Sequence, residues 1–331
     1  MSEKIVAAVS INRTETSWVV MRTDRQDGLP DLKEEDIVHK AAMSNVGKNL
    51  RGIIEHVSDT LRPYACSVLA VGSFGPFFTV NSSRGEDIFI SEQQTELQAG
   101  NQNLSELFEQ YTDIRPAIIT DATAVALGEF LTRYKRRDPP FDSVGEHASG
   151  YKRKTLVSLI FGKGVGGGFT IGGKVSPFTY HSEMGHMPVV KMENERRGCA
   201  CRFHNDCLTG YLGRDTLDKK GDKLSDLGLH QFSHYAAQLC AAVTYILGPD
   251  AIALTGSTIQ AYPDETIPMI RDELENLLQG RRVAVQPFIA QERAGSAKRY
   301  ISQADKSSYL MGTLLHAIDL AHEASADTTR K

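Results

Sequence analysis

The segment that most constrains this 331-residue chain is an apolar run, Leu156-Val-Ser-Leu-Ile-Phe161, which breaks into Gly162-Lys-Gly-Val-Gly-Gly-Gly168 and resumes as Phe169-Thr-Ile-Gly-Gly-Lys174. A short apolar run bounded by glycines is a buried strand, so the segment predicts a strand, a tight turn and a returning strand. Five glycines in seven positions allow positive φ and bring bare N–H groups close to a ligand, which suits phosphate oxygens. Lys163 adds a point charge. An ordinary glycine-rich hairpin is the plain alternative. No helix-opening pattern follows the loop, so neither a dinucleotide-binding turn nor a P-loop fits.

Downstream come His181-Ser-Glu-Met-Gly-His186 and Cys199-Ala-Cys-Arg-Phe-His-Asn-Asp-Cys207. Three of the chain's five cysteines fall in that second stretch, a density that points to a metal. Zinc takes four nitrogen or sulfur ligands in a tetrahedron, and a Cys-x-x-His-x-x-Cys loop with one distant histidine closes such a site. The expected ligands are His186, Cys201, His204 and Cys207, with Cys199 in place of His204 as the alternative. A surface loop of free thiols and a disulfide are the remaining readings.

These residues carry a specific resemblance. The glycine loop, His181-Ser-Glu-Met-Gly-His-Met-Pro188 and Cys201-Arg-Phe-His-Asn-Asp-Cys-Leu208, in this order, resemble the ROK family (repressor, open reading frame, kinase) of sugar kinases and sugar-responsive repressors. Within it they are most similar to the bacterial fructokinases, with Ser182 replacing a proline and Thr209 a glutamate of that pattern. Two further segments match, Gly72-Ser-Phe-Gly-Pro76 and Asp121-Ala-Thr-Ala-Val-Ala-Leu-Gly-Glu129.

The resemblance implies an α/β protein of two ribonuclease H-like, hexokinase/actin-type domains with a cleft between them. The first would comprise residues 1–120 plus 308–331, and the second residues 121–307 with the zinc loop. It implies ATP-dependent phosphorylation of a hexose, fructose first, using Mg2+ and a structural zinc, by a homodimer. Asp121 would be the general base, and sugar would lie against Gly72, Ser73, Asp121 and Glu183. ATP would contact Thr14, Gly162, Lys163, Gly164, Gly166 and Gly167, with Gly256 at the adenine end. Pattern alone leaves Asp121 open to a second role, as the N-cap of the helix it precedes. A carboxylate at a helix N-terminus is expected to stay ionised.

The same alignment exposes departures. The family's first phosphate loop reads Asp-x-Gly-Gly-Thr. Matched on Thr14, this chain has Ser10 at the aspartate and Asn12-Arg13 at the glycines, and Thr255-Gly-Ser-Thr258 keeps only Gly256 of a glycine run. Two readings follow: a kinase in which Arg13 contacts phosphate, or a relative that binds a sugar or cyclitol without efficient ATP use.

Composition narrows the partners. With 41% apolar residues, 24% charged residues and a net charge of −4, the chain has no basic excess for nucleic acid. With the first strand expected at Lys4–Ser10, no DNA-binding helix-turn-helix is expected ahead of it. Met1 to Val9 lacks the length of a signal or membrane segment, so a cytoplasmic protein with no membrane partner is expected.

Pattern reading places strands at Lys4–Ser10, Ser17–Met21, Ser67–Val71, Arg115–Thr120, Ala251–Leu254 and Val283–Pro287. It places helices at Ser44–Leu61 with Ser44 as N-cap, at Gln231–Leu247 and Ile267–Leu278, and over 307–324. Phe141–Arg153 is expected as a loop.

Overall fold

The computed structural model describes residues 3–24, 29, 30, 32–83, 85–92, 94–137, 150–176, 181–193, 195–278, 301–305 and 307–328. Strands β1 (Lys4–Ile11) and β2 (Glu15–Thr23) form the predicted opening hairpin, and β3 (Ile37–Ser44) lies beside β2. Helix α1 (Leu50–Leu61) starts later than expected. Ser44 ends β3, and Asn49 is the cap, its Oδ1 accepting from the Gly52 N–H at 2.9 Å. Val46, inside the expected helix span, precedes the helix and is 80% exposed.

The chain continues through β4 (Val68–Ser73), a hairpin of β5 (Phe77–Ser82) and β6 (Gly85–Ile90), α2 (Leu104–Thr112), β7 (Ala117–Thr120) and α3 (Asp121–Arg136). The β5–β6 hairpin escapes pattern reading because β5 is mostly exposed and has no buried face to impose a period. Then come β8 (Thr155–Phe161), β9 (Val165–Ile171), β10 (Lys174–Val175), α4 (Leu208–Leu212), and the small pair β11 (Lys219–Lys220) and β12 (Lys223–Leu224). Helix α5 (Asp226–Leu247) starts earlier than the apolar spacing suggests, because Ser225 caps it with its Oγ accepting from the Gly228 N–H at 3.0 Å. Strand β13 (Ala251–Thr255), helices α6 (Ser257–Ala261) and α7 (Pro263–Leu278), strand β14 (Ile301–Gln303) and helix α8 (Ser308–Thr328) complete the order. The predicted strand at Val283–Pro287, and residues 141–149 of the predicted loop, lie outside the described residues. Among the described residues, no helix is long and apolar enough to cross a membrane.

The two larger sheets run β3-β2-β1-β4-β7 and β10-β9-β8-β13-β14. In each, the hairpin strands pair antiparallel while β1 with β4, β4 with β7, β8 with β13 and β13 with β14 pair parallel. Each sheet is thus a hairpin extended by parallel strands through helical crossovers, the ribonuclease H-like α/β topology repeated.

The chain forms two compact units, residues 1–131 with 173–181 and 306–331, and residues 132–172 with 182–305. In the first, Ala7, Val9 and Ile11 of β1 pack with α1 and α2, while Val6 and Ala8 pack with Leu314, Ala317 and Ile318 of α8. Burial on both faces explains why β1 reads as an unbroken apolar run. In the second, Val157, Leu159 and Phe161 face Tyr211 and Leu212 of α4 and Phe232, Tyr235 and Leu239 of α5. Cys240 lies in that core, fully buried.

Candidate functional site

Asp121 is the first residue of α3, directly after β7. Its neighbour does the capping: Thr120 Oγ1 accepts from the Thr123 N–H at 3.1 Å and donates to Thr123 Oγ1 at 2.9 Å. The Asp121 carboxylate instead accepts from the adjacent Ala122 N–H at 2.7 Å. Burial raises its pKa from 3.8 to about 6, against the lowering effects of that N–H bond and of the Arg13 charge. Desolvation thus outweighs the helix terminus, and the carboxyl stays mostly ionised at neutral pH, as expected for a value of about 6. Pattern reading overlooks Tyr309, whose phenol is pushed well above its ordinary value by burial and then by the Asp121 charge. Only its place on α8, far along the chain, brings it here.

Gly72 and Ser73 end β4. A Cβ on Gly72 would overlap Thr313 Oγ1 of α8 and crowd Ala124 of α3. Ser73 is fully buried and donates to the Phe74 carbonyl at 3.3 Å. Both have packing reasons for their identity, and neither offers an exposed polar group to a ligand.

The β1–β2 turn satisfies itself. Asn12 Oδ1 accepts from the Thr14 N–H at 2.9 Å, the Glu15 N–H at 2.7 Å and Thr14 Oγ1 at 3.2 Å. Asn45 holds the turn from the side, its Nδ2 donating to the Asn12 carbonyl at 2.7 Å. Neither Asn12 nor Arg13 takes positive φ, so the turn forms without glycine. Ser10 is only 2% exposed.

In the second unit, Gly162, Lys163 and Gly164 turn β8 into β9, with the Gly162 N–H donating to the Gly164 carbonyl at 2.9 Å. None of Gly162, Gly164, Gly166, Gly167 or Gly168 has positive φ, which corrects the expectation that the run needs it. Gly166, Gly167 and Gly168 are ordinary strand residues opposite Ile160, Leu159 and Ser158. Gly167 makes room for Met184, whose sulfur a Cβ would overlap, and Gly185 lies against the Val165 carbonyl in the same way. A Cβ on Gly162 would meet nothing within 4 Å, so this corner of the turn stays open to a ligand. Gly256 does need to be glycine: its φ is +100°, and a Cβ would strike the Phe161 backbone. Because β8 and β13 are parallel neighbours, with Thr255 opposite Ile160, Gly256 and the open turn share one end of the sheet.

The cysteine loop folds onto the short 3-10 turn Met184–His186. Ligand atoms of His186, Cys201, His204 and Cys207 all lie within 4.8 Å of one another. Cys201 Sγ is 3.6 Å from His186 Nδ1 and 3.5 Å from His204 Nδ1, and Cys207 Sγ is 3.7 Å from His186 Nδ1. Zinc bonds of about 2.0–2.3 Å span tetrahedral edges of about 3.3–3.8 Å, which these three spacings match, while the group of four as a whole is bounded at the wider 4.8 Å. The four are the predicted set, with Cys199 adjacent. Burial lowers the His186 pKa, favouring the neutral imidazole a metal requires. Its other ring nitrogen, Nε2, lies 3.5 Å from Glu183 Oε2, so a carboxylate backs the imidazole.

The ROK family profile matches residues 31–223. The chain belongs to the ROK family. Among curated relatives, the fructokinase of Lactococcus lactis subsp. cremoris is 29% identical over 220 residues, covering 62% of this chain and 68% of the relative. A putative fructokinase of Bacillus subtilis (strain 168) is 25% identical over 286 residues, covering 82% and 84%. The ROK hexokinase of Thermus thermophilus shares the fold with a TM-score of 0.65 at 16% identity, over 96% of this chain and 99% of that one.

The ROK cysteine loop is anchored by a group that pattern reading passes over. Arg197 is held by both Glu195 carboxylate oxygens, the closer at 2.6 Å, and donates to the carbonyls of Tyr211 at 3.3 Å and Thr216 at 2.9 Å. Its guanidinium lies over the Tyr211 and Tyr235 rings at 5.7 and 5.9 Å. The Tyr235 hydroxyl donates to Glu195 at 3.0 Å. Arg197 is the main reason the Glu195 pKa falls to about 2. Tyr211 and Tyr235, supplied by α4 and α5, complete this site.

Proposed function

We propose that this ROK protein is an ATP-dependent sugar kinase acting on a hexose, with fructose the first candidate. The fructokinase names of its relatives support the substrate. The observation that carries the reaction type is Asp121, a helix-start carboxylate relieved of capping by Thr120 and raised to about 6 chiefly by burial. A carboxylate near that value takes a proton from a sugar hydroxyl as the γ-phosphoryl group arrives, and gives it up again near neutrality. Glu183 accepts sugar hydroxyl hydrogen bonds while His186 fixes its position. ATP phosphates lie along the open turn at Gly162–Gly164 with Mg2+ neutralising them, so the protein's share is positioning and charge stabilisation. His186, Cys201, His204 and Cys207 hold one zinc, which ties the Glu183 segment to the cysteine loop.

A second reading, a sugar- or cyclitol-binding relative with weak ATP use, is favoured by one observation: the N–H groups of Thr14 and Glu15 are occupied by Asn12. A coupled ADP-release assay over hexoses and cyclitols, with and without Mg2+, separates the two. Mg2+-dependent turnover with one sugar, lost in Asp121→Asn, supports the kinase. Sugar binding by calorimetry with no turnover on any of them leaves the binding protein.

A further inference from the structure

The cysteine loop holds one more sulfur than the metal set uses. Cys199 lies outside the group of four, yet its Sγ is 3.9 Å from Cys207 Sγ. Cys207 is thus touched by His186 and Cys201 of the metal cluster and, from outside it, by Cys199. The backbone keeps this pair in place. The Ala200 N–H donates to the Gly210 carbonyl at 3.2 Å, and the Gly210 N–H donates to the Cys207 carbonyl at 3.0 Å, so both cysteine segments are tied to one residue. Gly210 also makes the room, since a Cβ there would overlap Cys199 Sγ. Cys201 touches Cys207 too, but it lies within the group of four, bracketed by the two histidines, and Cys240 is sealed in the core. Cys199 is only partly buried, so a small oxidant can reach it.

We propose that Cys199 and Cys207 are a peroxide-responsive dithiol whose oxidation removes one metal ligand and releases the zinc. The inference rests on the zinc reading above. Sulfurs at 3.9 Å must close to about 2.05 Å to bond, a shift of side-chain rotation and small backbone adjustment. The Cys199 thiolate, not engaged by the metal, attacks hydrogen peroxide. An S–O bond forms, the O–O bond breaks, and the departing hydroxide is protonated to water, leaving a sulfenic acid. The Cys207 thiolate then attacks the Cys199 sulfur; the S–S bond forms, the S–O bond breaks, and a second hydroxide leaves and is protonated to water. One peroxide takes two electrons from the two sulfurs. Zinc stays divalent and leaves because only His186, Cys201 and His204 remain to hold it. A dithiol such as dithiothreitol reverses the oxidation.

The test uses zinc-loaded full-length protein treated with hydrogen peroxide, zinc release being followed with a chromogenic chelator and the disulfide mapped by peptide mass. The expected result is a Cys199–Cys207 bond formed in step with loss of the metal, both reversed by dithiothreitol plus zinc. Cys199→Ser and Cys199→Ala, outside the ligand set, should bind the same zinc and release it at least about 10-fold more slowly, because the one sulfur left beside Cys207, that of Cys201, is itself held by the metal. Equal release rates in these variants, or a disulfide that runs through Cys201, would overturn the proposal. Wild-type protein that takes up no zinc would instead remove the metal reading. In that case the peptide map of the oxidised metal-free protein still decides the pairing.

Discussion

The two larger sheets have the same strand order, each with an antiparallel opening hairpin and two parallel pairings beyond it, yet the turns joining the hairpin strands are built from opposite chemistry. At Asn12–Thr14 a side chain fills the turn, Asn12 Oδ1 taking two backbone N–H groups and a hydroxyl. At Gly162–Gly164 the turn carries only Lys163, and the space beside Gly162 is open. The strand pairing tolerates both because a turn's N–H groups need a partner but not a particular one. A local asparagine does in one unit what a ligand would do in the other. On the proposed kinase reading, phosphate goes to the second unit's turn, and the first unit's contribution rests on Asp121 and Arg13.

The largest effect expected from that division is in the first unit. Asp121→Asn should lower turnover by about 10²-fold or more, the range for a positioned general base. Its melting temperature should not fall and its sugar affinity should hold, since Thr120 already caps α3. An equal fall in stability would make Asp121 structural and leave the first unit without a chemical role.

Next in size is Arg13. As a charged donor to phosphate in place of the missing glycines, its loss in Arg13→Ala should weaken ATP by roughly 1.5–3 kcal/mol, read by calorimetry with sugar bound. Ser10→Asp, Asn12→Gly and Arg13→Gly combined should then lower kcat/KM. A gain in turnover from that triple change would show that the turn is a defect, and would favour the binding-protein reading. Asn12→Gly alone should act in the opposite direction and less strongly. Freeing two N–H groups should tighten ATP by about 0.5–1.5 kcal/mol, the net value of one hydrogen bond, less some rigidity of the turn. Unchanged affinity would mean that phosphate does not use this turn, and the contrast between the two hairpins would then have no bearing on nucleotide binding.

Much of this contrast was legible in the chain. The apolar runs at Lys4–Ser10 and Leu156–Phe161 declare their strands, and the spacing Cys201-x-x-His204-x-x-Cys207 with His186 names four side chains whose ligand atoms the fold does bring within 4.8 Å of one another. What was not legible depends on distant packing. The glycines at 166 and 167 look like a phosphate loop but are strand residues, and Gly72 answers to Thr313 across the first unit. Ser44 looked like a cap until Asn49, nearer the first buried turn, took that place. Asn12 was visible only as a departure from a pattern; that its side chain replaces what the glycines leave bare follows from its three contacts.

The smallest effect is a shift along the pH axis, and it tests whether Arg13 and Asp121 act as one site in the first unit. Burial raises Asp121 from 3.8 to about 6, and Arg13 opposes the rise. Since the carboxylate is the active form, kcat/KM should climb with pH along a limb centred near 6 and level off above it. Stability runs the other way. Between the unfolded value of 3.8 and the folded value of about 6 the native state binds the extra proton, so the cost of the buried charge is absent below that window and fully present above it. Asp121→Asn should therefore gain stability relative to wild type as pH rises through the window, in melting curves taken at pH 4 and pH 7. Removing the opposing charge in Arg13→Ala should move the activity limb to higher pH, while a distant charge change such as Lys220→Ala leaves it in place. A limb that stays fixed in Arg13→Ala would separate the two residues, and would assign the β1–β2 turn to phosphate alone.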